Sequence, residues 1–164
     1  MSWTVENPNA LMVEQACALY NSTRPAELPQ PSGRWGLDEQ VWSNLVELTQ
    51  GKCRQLGIPV TRDGLKGMCL WASAIAAKFY VTRLAYIDTH VVRVNANADH
   101  YFAVVRDGSR IGVCDITCNQ FGAPPYIAGP LGDVQGVAQK VMIKGGGSLY
   151  EAYETGVGAS IVVL

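Results

Sequence analysis

Charge is scarce in this chain. Asp, Glu, Lys and Arg make up 16% of its 164 residues, against roughly 25% in an average globular domain. What charge there is balances, with 13 Lys+Arg against 14 Asp+Glu and a formal net charge of −1. Without a basic excess the chain lacks the electrostatic footprint of a nucleic-acid binder or of a protein drawn to anionic membrane. No run approaches the ~18 consecutive apolar residues of a membrane span. The longest apolar-rich stretch, Met68 to Val81, is interrupted by Ser73 and Lys78. The opening Met1-Ser-Trp-Thr-Val-Glu6 has neither the basic nor the apolar region of a signal peptide, so the cytoplasm of the producing cell is the expected location.

Histidine is also scarce, with His90 and His100 alone. The cysteines (Cys17, Cys53, Cys69, Cys114 and Cys118) are odd in number and contain no CxxC pair. That argues against a disulfide framework for the whole set and gives no support to a zinc ribbon. Cys114 and Cys118 lie four apart and could meet a histidine on a metal, but the spacing is not that of a tetrahedral site. A reducing compartment, no metal and no cofactor are expected.

Apolar residues are plentiful, at 48%, and glycine is abundant, at 17. A chain of this length and composition forms one domain with a sizeable core and is not disordered. Residues 1–164 are therefore read as a single domain. Asn7 or Asn9 can cap a first helix through about Tyr20. Residues 21–36 carry three prolines and two glycines and read as a loop. Asp38 caps a second helix, with Val41, Trp42, Leu45, Val46 and Leu48 at helical spacing through about Leu56. A third helix, from Gly67 or Met68 to about Tyr80, is apolar on nearly every face, the pattern of a central buried helix.

The pattern then turns to strands. They are expected over Ala85–Val94, His100–Val105 and Arg110–Ile116, with a tight turn at Asp107-Gly108 joining the last two. A long loop is expected over 119–136, a strand over Val137–Lys144, a helical turn or two over Ser148–Glu154 and a terminal strand over Ala159–Leu164. Helices first and an antiparallel sheet second make an α+β chain.

Cys69, His100 and Asp115 fall in a chemically meaningful order. A thiol at a helix N-terminus meets the positive end of the dipole, which favours the thiolate, and the terminal N–H groups can donate to an oxyanion. An imidazole beside it takes the proton, and a carboxylate holds the imidazole in one tautomer. Seven steps outward from Asp107-Gly108 reach His100 on one side and Asp115 on the other, which predicts that the two are paired across the hairpin. His90 is the rival base, within the run Asp88-Thr-His-Val-Val. Each residue also has a plain reading: a core thiol, a strand-edge histidine, a turn-capping aspartate.

The segments Gly67-Met-Cys69-Leu-Trp-Ala-Ser73, Asp99-His100-Tyr-Phe-Ala-Val-Val-Arg-Asp-Gly108 and Val113-Cys-Asp115-Ile-Thr-Cys-Asn-Gln-Phe121 resemble the papain-like fold. They are most similar to the small bacterial papain-fold toxin and effector domains, relatives of glutamine deamidases and cysteine peptidases. The resemblance covers about a third of the chain, Leu65 to Gly122. It implies N-terminal helices and a central Cys-bearing helix packed on an antiparallel sheet. It also implies a thiol amidohydrolase acting on protein amides, with Cys69 as nucleophile, His100 as base and Asp115 orienting it. The substrate would be a protein in a target cell, reached by a specialised secretion system, and a cognate immunity or inhibitor protein would be a partner.

Deamidation of Gln, peptide cleavage and transglutamination share one thioester and are left open by the triad. Larger papain-like peptidases carry an oxyanion-hole Gln upstream of the Cys; here Gln50 and Gln55 are nearest, in no recognisable motif. Gly67, Met68, Gln55 and Gln120 are the oxyanion or cleft candidates. Two alternatives stand beside the leading one: a peptidoglycan amidase of the NlpC type, whose usual Asp-Cys-Ser-Gly is absent, and a non-catalytic module on the same fold. The loops at 24–35 and 121–136, with Trp35, Trp71 and Tyr126, are candidate cleft walls or simple connectors.

Overall fold

The residue types at the helix starts explain where the helices begin. The computed structural model describes residues 3–60, 68–122, 124–143 and 146–164. Helix α1 spans Ala10–Ser22, and the Asn9 side chain accepts from the N–H groups of Leu11 and Met12 at 2.9 and 3.3 Å. Helix α2 spans Glu39–Gln55, and Asp38 accepts from Val41 N–H at 2.8 Å. Helix α3 spans Cys69–Arg83 and starts differently: Met68 is its N-cap and makes no side-chain capping bond. Eleven of its residues are buried, from Cys69 to Tyr80. The alanines at 72, 74, 76 and 77 are fully buried. Their small side chains let neighbouring elements approach α3 closely.

The sheet is antiparallel and five-stranded, in the order β1 (Thr4–Val5), β2 (Asp88–Asn95), β3 (Asp99–Asp107), β4 (Arg110–Asp115) and β5 (Ile127–Pro130). Alternation along β3 divides the core in two. Tyr101, Ala103 and Val105 pack with α1, α2 and α3. Phe102 and Val104 pack on the other face with helices α4 (Leu131–Ala138) and α5 (Leu149–Val157). The α+β class is as expected, but helices cover both faces of the sheet.

The C-terminal third departs from the expected pattern. Residues 119–136 contain a 3-10 turn, β5 and most of α4. The strand expected over Val137–Lys144 is instead the end of α4 and a single bridge from Met142 to Ser148. No strand forms at Ala159–Leu164, although Val163 N–H donates to Val91 O at 3.0 Å. Short β-branched stretches fit either element, and packing against the sheet decides for helix at α4.

The β3–β4 hairpin also differs in register. Asp107 pairs with Arg110, so the loop is Gly108-Ser109, and Ala103 pairs with Cys114. Gly108 has φ +59 and Ser109 is not among the residues of positive φ. That is the requirement of a II′ turn, positive φ at the first central residue, where Asp-Gly suggests a I′ centre. The expected direct pairing of His100 with Asp115 is therefore wrong by two residues. Extending the register places Asp115 opposite Phe102 and makes His100 its diagonal neighbour on the same face.

Of the segment expected as a loop over 21–36, residues 21 and 22 complete α1; the rest is a loop with two 3-10 turns, and it is firmly tied. Arg83 donates to the carbonyls of Pro25, Leu28 and Pro29 at 2.8, 2.9 and 3.2 Å. Lys52, buried in α2, meets Glu27 at 2.7 Å and donates to Ser22 O at 3.1 Å.

Candidate active site

The site lies where β3 outruns β4. The β3–β4 pairs begin at Ala103, so the first residues of β3 have β2 on one side and no β4 partner on the other. His100 is the second residue of β3, paired with Val94 of β2. Its side chain lies on the α5 face, while Cys69 opens α3 on the opposite face. The notch at the end of β4 is what allows the two to meet. Cys69 is within hydrogen-bonding reach of His100, and its sulfur is one of the groups that favour the charged ring.

The other side of the imidazole is held by Asp115. His100 Nε2 lies 2.7 Å from Asp115 Oδ2, and both side chains have 0% exposure. Asp115 is itself held on both oxygens. Oδ1 accepts from Thr117 N at 3.1 Å and Thr117 Oγ1 at 3.3 Å. Oδ2 also accepts from the Tyr153 hydroxyl at 2.8 Å. Four donors thus meet the two oxygens of this buried side chain, as a buried polar group requires. The Trp42 indole N–H, bonded to Ile116 O at 3.0 Å, ties the chain just beyond Asp115 to α2.

Burial works against charge on His100, but the Asp115 carboxylate and Cys69 outweigh it and push its pKa up to about 10. The ring thus has two nitrogens with separate duties. Nε2 is committed to Asp115, and Nδ1 is left for the thiol. Gln120 shares that second nitrogen: its Nε2 lies 3.2 Å from His100 Nδ1. The adjacent Phe121 packs edge-on against the imidazole, with centroids 4.9 Å apart. A neutral ring with its proton on Nε2 accepts from Gln120 at Nδ1; a charged ring donates from Nδ1 towards Cys69.

The sequence-derived candidates fare differently. Cys69, His100 and Asp115 come together. Gln120 joins them. Met68 is buried directly before Cys69, and its carbonyl accepts from Ala72 N–H at 3.0 Å. Gly67 lies outside the described residues. Gln55 is exposed at the end of α2, lining a groove with Glu27, Asn44, Glu47 and Lys52 that contains none of the triad. His90 has Asp88 at 3.9 Å, and burial, then Arg106, lowers its pKa.

Burial pushes the thiol of Cys53 up to about 11 and those of Cys114 and Cys118 well above the ordinary thiol value, which suits inert core thiols. Trp35 packs on Tyr80 and Tyr86, and Trp71 is buried in the α3 core, so both serve packing. Tyr126 lines a surface groove between α4 and Pro124–Pro125.

Tyr153 is a site residue that the sequence does not single out. Part of the signal is there: Ser148 caps α5, and Leu149, Ala152, Tyr153 and Gly156 follow at helical spacing, so they share one buried face. Gly156 sets how closely that face sits, because a Cβ there would collide with Phe102 and with Val92. Among the described residues no group of three or more His, Cys, Asp or Glu is placed to hold a metal ion, and no helix is long and apolar enough to cross a membrane. No family model, curated protein or solved structure matches this chain, so its chemistry has to be read from these side chains.

Proposed function

We propose that this protein is a thiol-dependent amidohydrolase of papain-like architecture, using Cys69, His100 and Asp115. The observation that carries the reading is the fully buried His100–Asp115 pair at 2.7 Å with Cys69 within hydrogen-bonding reach of the imidazole. A buried ion pair of this kind is a poor device for stability alone, since its desolvation cost can match its attraction. It is well suited to poising a base beside a nucleophile.

The steps balance without a cofactor. Sulfur bonds to the amide carbonyl carbon while its proton is held on His100 Nδ1. The carbonyl electrons collect on oxygen, where backbone N–H groups at the uncapped start of α3 are suited to meet them. As the C–N bond breaks, Nδ1–H protonates the leaving amine. Water then attacks the thioester, gives its proton to Nδ1, and the carbon–sulfur bond breaks to release a carboxylic acid and the thiol. Asp115 retains its charge throughout and keeps the ring oriented.

The proposed substrate is a protein in a target cell, in the manner of bacterial toxin and effector domains. Candidate target proteins incubated with the enzyme and analysed by mass spectrometry test this. A gain of about 1 Da at Gln marks amide hydrolysis, and a severed chain marks peptidase action. Both should vanish in Cys69→Ala; products that persist in that variant would remove the mechanism.

A further inference from the structure

The free edge of the sheet carries a groove that the proposed chemistry does not use. Strand β5 has β4 on one side and no strand on the other. A groove of about 390 Å³ lies along it. Its walls come from helices on both faces of the sheet: Glu39 opens α2 on one, and Asp133, Val134 and Val137 belong to α4 on the other. Tyr126 and Ala128, at the start of β5, complete the lining.

The phase of the β4–β5 ladder fixes which backbone groups face outward. Gly112 pairs with Pro130, Val113 with Gly129, Cys114 with Ala128 and Asp115 with Ile127. Proline has no N–H, so Gly112–Pro130 is not a hydrogen-bonded pair. Antiparallel pairs alternate, so Val113–Gly129 and Asp115–Ile127 are bonded and Cys114–Ala128 is not. The N–H and C=O of Ala128 therefore point away from β4. Among the described residues neither group has a hydrogen-bond partner. Pro130 adds no outward donor, which confines pairing to one short segment and guards the edge against open-ended association.

We infer that the edge of β5 at Ala128 docks an extended segment of the substrate protein, one with apolar side chains and a lysine or arginine. The inference rests on the amidohydrolase reading, which supplies a protein substrate. An antiparallel strand meets both Ala128 groups with a single residue. Tyr126, Val134 and Val137, the last 44% exposed, offer apolar contact. The groove is net negative: Asp133 pairs with Arg34, whereas Glu39 has no ion-pair partner among the described residues. Ile127 lies opposite Asp115, so one end of β5 is the triad's end. A segment antiparallel to β5 runs in the direction of β4, and its C-terminal end leaves the groove there. The reacting amide thus lies C-terminal to the docked segment.

The test uses a peptide of alternating threonine and valine with one central lysine, carrying a chloroacetamide on a flexible glycine linker at its C-terminal end. Docking raises the local concentration of the reagent, so Cys69 in the full chain should be alkylated about tenfold faster than by free chloroacetamide. It should also react faster than with the same peptide carrying the reagent at its N-terminal end. Ala128→Pro removes the outward N–H where an edge strand tolerates proline, and should abolish the acceleration. Val137→Lys, a surface change that fills and charges the groove, should do the same. Both variants should react with free chloroacetamide as wild type does. No acceleration in wild type, or acceleration that survives both variants, overturns the docking site. Equal rates from the two ends overturn its direction. Dimerisation of wild type that Ala128→Pro abolishes would give the edge to a second copy and overturn the inference. The underlying reading has its own arm: free chloroacetamide labelling Cys69 no faster than Cys17 removes the activated thiol. Fluorescence anisotropy of the peptide with a dye in place of the reagent then decides docking alone.

Discussion

The Tyr153 hydroxyl and the His100 imidazole meet the same oxygen of Asp115, at 2.8 and 2.7 Å. A residue from the last helix thus supports a pair built on the β3–β4 hairpin. Burial, and then the Asp115 charge, pushes the Tyr153 pKa well above the ordinary tyrosine value, so it remains a donor at any working pH. Tyr153→Phe keeps the ring and removes the hydrogen bond. The expected result is a fall of about tenfold in kcat with KM little changed, as for loss of a charge-assisted hydrogen bond. Asp115, relieved of one donor, should attract the imidazolium more strongly, so NMR titration should find His100 ionising at higher pH than in wild type. A lower or unchanged value would make Tyr153 merely a packing residue.

The His100 shift makes a prediction about stability. Burial opposes the charged ring, but Asp115 and Cys69 outweigh it and raise the pKa from 6.5 to about 10 in the folded protein. A raised pKa means that the folded state holds the proton more tightly than the unfolded chain. The stabilisation is therefore complete below about pH 6.5 and is lost as pH rises through about 10. Denaturant unfolding of wild type and His100→Gln at pH 6, 8 and 10 should show a stability gap that narrows steadily with pH. A gap constant across that range would contradict the assignment.

Gly156 should tolerate no side chain. A Cβ at that position would collide with Phe102 and would lie 2.9 Å from Val92 Cγ2. Both neighbours are fully buried and cannot withdraw. Gly156→Ala should cost about 1–3 kcal/mol, as overpacking of a core does. It should also push α5 outward and lengthen the Tyr153–Asp115 bond, so activity should fall further than the stability loss explains. Thermal melting and kcat on the same preparation check both effects.

Glu27 and Lys52 make a separate test, remote from the proposed chemistry. Hydrogen bonds from Lys52 and then from the Arg24 backbone hold the Glu27 pKa down to about 2. A depressed carboxylate stabilises the fold above its unfolded pKa, near 4.3, and that support disappears as pH falls through about 2. Glu27→Gln leaves the buried Lys52 ammonium without its carboxylate and should cost roughly 1–2 kcal/mol at neutral pH. The difference from wild type should close by about pH 2. Cys69 alkylation should be unaffected, and a change there would tie the proline-rich segment to the site.

The residues that decide local structure are legible one by one. Asn9 and Asp38 cap helices as their short oxygen-bearing side chains dictate. The uninterrupted apolar character of α3 requires a central position, and the burial of eleven of its residues agrees. Cys69, His100 and Asp115 can be picked out because their chemistry needs a helix start, a strand and a neighbouring strand. The α4 segment reads wrongly as loop and strand, since a short apolar run has no period strong enough to separate helix from strand. The hairpin register is not legible either, because Asp-Gly and Gly-Ser are both good turn pairs, and which one closes depends on the packing of both strands.

By itself, then, the sequence determined the starts of the first three helices, the buried helix, the α+β class and the identity of the three groups that meet. The tertiary structure decided how they meet: His100 and Asp115 diagonally on one sheet face, and Cys69 from the other face, beside the end of β4. It also brought in Tyr153 and Gln120, which come from α5 and from the turn after β4 and touch opposite sides of the site. Their roles depend on contacts 38 and 20 residues apart in the chain. Local periodicity extends over a few residues only, so long-range partners of this kind are set by packing.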